Sequence, residues 1–183
     1  MIVELGHFAL ILALMVALVQ ATLPLWGAHR GDVRLMALAG PAALAQAALV
    51  AFAFGVLTWA FVVSDFSLAV VYQNSHTAKP MLYKIAGTWG NHEGSLLLWV
   101  LILAVYGAAV ALFGANLPTR LRARVLAVQA MIGVAFLAFL LLTSNPFWRL
   151  EVPPMNGRDL NPLLQDPGLA FHPPFLYLGY VGL

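Results

Sequence analysis

Two histidines stand where chemistry could be done. His172 lies in Asp166-Pro167-Gly168-Leu169-Ala170-Phe171-His172-Pro173-Pro174-Phe175, and His92 in Thr88-Trp89-Gly90-Asn91-His92-Glu93-Gly94-Ser95. Each sits where a polar stretch gives way to a long apolar run. The residue before a proline is pushed toward extended backbone, and proline is at home in the first turn of a helix. The sequence therefore predicts a helix starting at Pro173-Pro174, with His172 at its mouth. One imidazole nitrogen between Phe171 and Phe175 suits axial ligation of haem iron, which needs apolar walls rather than a dense polar site. The same three residues would also suit an interfacial anchor.

Around His92, Asn91 or Ser95 can cap a helix, Glu93 complements its N-terminal dipole, and Gly90 and Gly94 permit close backbone approach. One reading is a capped helix entry flanked by Trp89 and by a bundle-packed Trp99. The other is a corner facing a ligand or partner, because ionisable residues at a membrane boundary are costly to keep dry. A second polar stretch runs from Gly157 to Asp166. There Arg158 can pair with a haem propionate or a protein carboxylate, or close its own loop on Asp159 or Asp166. The chain offers no cysteine, no phosphate-binding glycine loop, no HExxH and no carboxylate pair within an apolar run. Disulfides, thiolate metal sites and thiol catalysis are thereby excluded from it.

These residues need elements to hold them, and composition says which. Apolar residues make up 62% of the 183 positions and charged ones 9%, against roughly 45–50% and about 25% in soluble domains. The mean hydropathy is +0.90. Sixteen charged side chains cannot cover that much apolar surface in water, which excludes a soluble enzyme, a disordered chain and a basic nucleic-acid binder. Four charge-free intervals, Leu5–Ala28, Leu35–Ser64, Gly94–Thr119 and Val125–Trp148, are 24 to 30 residues long. Each can cross a bilayer core, which takes about 20 helical residues. Pro167–Leu183 adds a 17-residue run without Lys, Arg, Asp or Glu that is still apolar at Leu183, the start of a fifth span in what reads as the N-terminal part of a longer polytopic protein.

The expected fold is an all-α transmembrane bundle. The short loops around Arg30–Arg34 and Arg120–Arg124 hold five of the nine Lys and Arg, and the long segments 65–93 and 149–172 hold the rest along with five of the seven acids. The positive-inside rule places the short loops in the cytoplasm, and the N-terminus and the long outer loops (65–93 and 145–172) on the opposite side. Seven of the eleven prolines fall between Pro146 and Pro174, which points to a stiff platform in the second outer loop. Segment 65–93 could lie on the interface or pack against the bundle.

Trp89-Gly90-Asn91-His92-Glu93-Gly94-Ser95-Leu96-Leu97-Leu98-Trp99 resembles the CcmF family, the haem lyase subunit of bacterial System I cytochrome c maturation. So do the stretch from Gly157 to Gly168, Phe171-His172-Pro173-Pro174, Thr143-Ser144-Asn145-Pro146-Phe147 and Glu4-Leu5-Gly6-His7. The resemblance runs over the whole chain. It implies a multi-pass protein of the bacterial inner membrane with periplasmic long loops. It implies that haem is attached by thioether bonds to an apocytochrome c, the haem coming from the chaperone CcmE and the apocytochrome with CcmH and CcmI. It implies that His172 is the first of two outer histidines that ligate delivered haem. The second, a tryptophan-rich segment and the histidines of a resident b-type haem are expected beyond Leu183, so this portion alone is expected to be inactive. Trp89, His92, Glu93, Arg158, Asp159, Phe171 and Phe175 are the candidate haem- or partner-facing residues. The competing readings are an ion- or solute-translocating subunit without haem, a structural subunit without a ligand, and a paralogue dedicated to a nitrite reductase cytochrome.

Overall fold

A computed structural model describes residues 1–159 and 165–182. Residues 160–164, in the middle of the second polar stretch, lie outside the described residues. The described chain is helical: α1 (Ile2–Arg30), α2 (Val33–Ala37), α3 (Ala39–Val63), α4 (Ala69–Asn74), α5 (Met81–Gly87), α6 (His92–Phe113), α7 (Thr119–Leu142) and α8 (Pro167–Gly182). Four of these segments, α1, α2 with α3, α6 with the short 3-10 turn that follows it, and α7, are long and apolar enough to cross a membrane. They match the four charge-free intervals.

Small residues let these helices meet. On α1, Ala9, Ala13, Ala17 and Ala21 recur every fourth position and are all buried, so they form one seam. Against that seam lie α3 and α7, which bury Ala43, Val50, Ala53, Leu57 and Ala60, and Ala123, Ala127, Ala130 and Gly133. Lipid tails are as apolar as leucine, so close backbone approach and packing, rather than hydrophobic burial, hold spans together. Accordingly many bulky side chains of α1, among them Ile11, Met15, Leu18 and Val19, face outward, while Leu10 is buried.

Glutamines add polar ties inside the bundle. Gln20 Nε2 donates to the Leu126 carbonyl at 3.0 Å, and Gln129 Nε2 donates to the Leu103 carbonyl. Gln20 is 1% exposed, and its Oε1 is buried without a partner among the described residues. Gln20→Leu is therefore expected to change stability by less than about 1 kcal/mol, because the lost bond is offset by removal of the orphaned oxygen. Thermal unfolding in detergent would read this.

At the cationic end α1 stops at Gly31, whose φ of 76° is left-handed and whose N–H returns to the Gly27 carbonyl. The Arg120 guanidinium lies against it, 2.8 Å from where a Cβ would be, and complements the negative end of the α1 dipole. Arg120, Arg122 and Arg124 belong to the first turns of α7 rather than to the loop expected there. Pro118 breaks the chain just before them, and arginine is a good helix former.

Candidate functional site

At the opposite end the two long outer segments are stitched to each other. Segment 65–93 does not lie flat on an interface. Phe66, Leu68, Val70 and Val71 are buried in the main core cluster. Leu68 and Arg149 form an antiparallel bridge, Ala69 N–H donates to the Trp148 carbonyl and Leu150 N–H to the Ser67 carbonyl, both at 2.9 Å.

Farther along, Asn156 exchanges hydrogen bonds with Thr77, through Oδ1 from the Thr77 N–H at 3.1 Å and through Nδ2 to the Thr77 hydroxyl at 3.0 Å. Gly157 then passes so close to the Ser75 carbonyl that a Cβ would overlap it. Arg158 N–H donates to the Tyr72 carbonyl at 2.7 Å and Asp159 N–H to the Ser75 carbonyl at 3.1 Å. The Arg158 guanidinium lies 5.3 Å from the Tyr72 ring centre, with Nε donating to the Tyr72 hydroxyl at 3.1 Å.

The Asp159 carboxylate lies 3.0 Å from Lys79 Nζ, a side chain only 1% exposed, which also donates to the Asn74 carbonyl at 3.1 Å. Burial pushes the Lys79 ammonium below the ordinary lysine range, and the Asp159 carboxylate opposes that shift. Arg158 and the Asp159 carboxylate thus both engage the other long segment, at Tyr72 and Lys79. Sequence reasoning missed Tyr72 and Lys79, because nothing local marks a lysine as buried.

The first motif folds into a corner between α5 and α6. Asn91 is the N-cap of α6: its Oδ1 accepts from the Gly94 N–H at 2.7 Å, and its Nδ2 donates to the Gly87 carbonyl at 2.6 Å. Gly94 is required because a Cβ there would fall on the Thr88 carbonyl oxygen. Ser95, the other candidate cap, instead shares a 2.6 Å hydrogen bond with the Tyr177 hydroxyl of α8. Trp89 reaches α8 as well, its indole Nε1–H donating to the Ala170 carbonyl at 2.7 Å. Trp99 packs inside the bundle on Phe136, ring centres 5.1 Å apart.

The start of α8 differs from the expectation. The helix begins at Pro167, so His172 lies within it and Pro173-Pro174 are internal. Gly168 N–H donates to Asp166 Oδ1 at 2.8 Å, and Ala170 N–H donates to the Asp166 carbonyl at 2.9 Å. Asp166 is thus the N-cap and Pro167 the first helical residue, a pairing legible in the sequence but overshadowed by the proline pair. His172 is exposed, as are Phe171 (51%) and Phe175 (72%), which lie one turn apart on one face.

The remaining candidates do not converge on His172. His92 lines a groove of about 220 Å³ with Ser95, Trp99, Phe136 and Tyr177, its ring edge-on to Phe139. Glu93 lines a separate, more polar one of about 170 Å³ with Gln73, Ser144 and Asn145. His7 pairs with Asn145, Nε2 to Nδ2 at 3.0 Å, and stacks on Phe147.

The chain matches a family model described as "Cytochrome C assembly protein" over residues 89–183. It is 75% identical over 183 residues to the cytochrome c-type biogenesis protein ccl1 of Rhodobacter capsulatus, covering all of this chain and 28% of that one. It is 61% identical over 183 residues to the cytochrome c-type biogenesis protein CcmF of Pseudomonas aeruginosa, again 100% of this chain and 28% of the relative. A solved structure titled "Cytochrome c Heme Lyase CcmF" superposes on the whole chain with a TM-score of 0.86 at 30% identity, over 28% of that protein. The chain thus spans little more than a quarter of the length of these relatives. With more than half of its residues inside the family model and a matching helical fold, the chain belongs to the cytochrome c assembly protein family, among relatives of the CcmF type.

Proposed function

We propose that the chain forms part of a membrane haem lyase that receives haem on α8 at the outer surface and presents it for thioether attachment to apocytochrome c. The observation that carries this is the exposed His172, flanked by exposed Phe171 and Phe175, on a helix pinned to the bundle at Ala170 and Tyr177. Haem iron arrives with its own equatorial ligands, so a single protein imidazole can complete a binding site. The two aromatic side chains give the porphyrin an apolar surface. What these residues contribute is placement: a fixed imidazole sets where the haem edge meets the incoming thiols, and rate follows from proximity and orientation.

In this reading the reacting cysteines belong to the apocytochrome. The chaperone CcmE delivers haem, and CcmH and CcmI bring the apocytochrome. The arginine-rich ends of α1 and α7 face the cytoplasm and the stitched outer loops face the periplasm, in the inner membrane. A second axial histidine and a resident b-type haem come from parts of the protein outside this chain. Arg158 and Asp159 serve to build the platform, since both are engaged with the first outer segment.

The test is His172→Gly in the full-length protein. The yield of mature cytochrome c is expected to fall at least about tenfold, and with it the haem bound in excess of the resident b-type haem, with partial recovery of that delivered haem on adding imidazole. Unchanged haem content and yield would remove His172 as the ligand.

A further inference from the structure

A proline inside a helix withholds the N–H that the carbonyl four residues earlier would accept. In α8, Pro174 leaves the Ala170 carbonyl in that position. Ala170 is 3% exposed, so this carbonyl cannot turn to water, and a buried orphan is costly. The structure fills the gap from another element, with the Trp89 indole N–H at 2.7 Å.

Trp89 is itself held firmly. Its N–H and that of Gly90 both donate to the Ala86 carbonyl, at 3.2 and 2.9 Å. Asn91 ties the same corner to Gly87 and Gly94. A second tether, Ser95 to Tyr177, fixes α8 lower down, and a third runs from the Tyr106 hydroxyl to the Leu178 carbonyl at 3.1 Å. His172 lies between Ala170 and Pro174, within the single turn whose hydrogen bond Trp89 completes.

We propose that Trp89 is a positioning residue for His172. It supplies in trans the helical hydrogen bond that Pro174 cannot make, and so fixes the direction in which the imidazole leaves the membrane surface. This rests on the reading of His172 as a haem ligand. It assigns the indole N–H a role distinct from stacking on a porphyrin, which needs only the ring.

Phenylalanine keeps a ring at position 89 and removes the donor, whereas Pro174→Ala returns a backbone N–H to the Ala170 carbonyl. In the full-length protein loaded with haem, Trp89→Phe is expected to speed loss of haem to an excess acceptor protein by about three- to tenfold and to shift its absorption bands. In Trp89→Phe/Pro174→Ala, both the release rate and the bands are expected to return toward those of the parent. Trp89→Phe behaving like the parent, or a double variant as impaired as Trp89→Phe, would overturn the proposal. His172→Gly measured alongside separates the two layers. If that variant keeps its delivered haem, as distinct from the resident b-type haem, the ligand reading fails. The Trp89–Pro174 coupling then still appears, or fails to appear, as non-additive shifts in thermal unfolding.

Discussion

Gly94→Ala is expected to cost about 2–4 kcal/mol and to loosen the whole outer corner. The added methyl would sit on the Thr88 carbonyl oxygen and 3.2 Å from Asn91 Oδ1. Neither neighbour can yield alone. The Thr88 carbonyl is part of the backbone turn that aims Trp89 at α8, and Asn91 holds the cap of α6. Relief requires α6 to separate from that turn, which would break the Asn91–Gly94 bond and pull the Trp89 indole away from Ala170. Gly55→Ala is the control. Nothing lies within 4 Å of a Cβ at that position, and alanine is the better helix former by about 1 kcal/mol. Thermal unfolding of the full-length protein in detergent should show a large drop for the first variant and none for the second. Equal midpoints would mean that the corner is not tightly packed against α6.

Asp159→Asn is the second change with a large expected effect, about 1–3 kcal/mol. Asparagine tolerates the left-handed φ of 80° at this position, so only the charge is removed. Lys79 then keeps a buried ammonium facing the Asn74 carbonyl with its counter-charge gone. Adding Lys79→Met should recover much of the loss, because it removes the buried ammonium that Asp159→Asn leaves without its counter-charge.

The pH dependence has a definite sign. With the Lys79 pKa lowered in the folded state, the unfolded chain holds more protons in the window between the lowered value and the ordinary lysine value. Stability contributed by this group therefore rises with pH through that window. In Asp159→Asn the opposing carboxylate is gone and the rise starts at lower pH. Alkaline unfolding curves of the two proteins that superpose would contradict the pairing.

The spans were legible because bilayer length is written into charge-free runs. The helix mouth at His92 was legible for the same reason, since polar residues must stop where hydrocarbon begins. Which face of each span meets its neighbour was not. Along α1 the buried Ala9, Ala13 and Ala17 and the outward Ile11, Leu12 and Met15 are all apolar, so periodicity of hydrophobicity carries no signal when the solvent is itself apolar. The start of α8 was misplaced because Pro173-Pro174 is a strong break by itself and is accommodated only through a donor 81 residues away in sequence. Likewise Arg158 had plausible partners in its own loop, and the choice of Tyr72, 86 residues earlier, follows from loop docking that no local pattern encodes.

The stitching of the two outer segments also has a meaning in time. Residues Tyr72 to Lys79 are synthesised well before Asn156 to Asp159, with α6 and α7 between them. Until that second segment is delivered to the same side, Lys79 has no Asp159, Thr77 has no Asn156 and the Tyr72 ring has no guanidinium above it. Closing so long a loop carries an entropic cost that only the finished bundle offsets. The outer platform is thus completed late in biogenesis, and the helix that bears His172 leaves the ribosome after the surface that receives it.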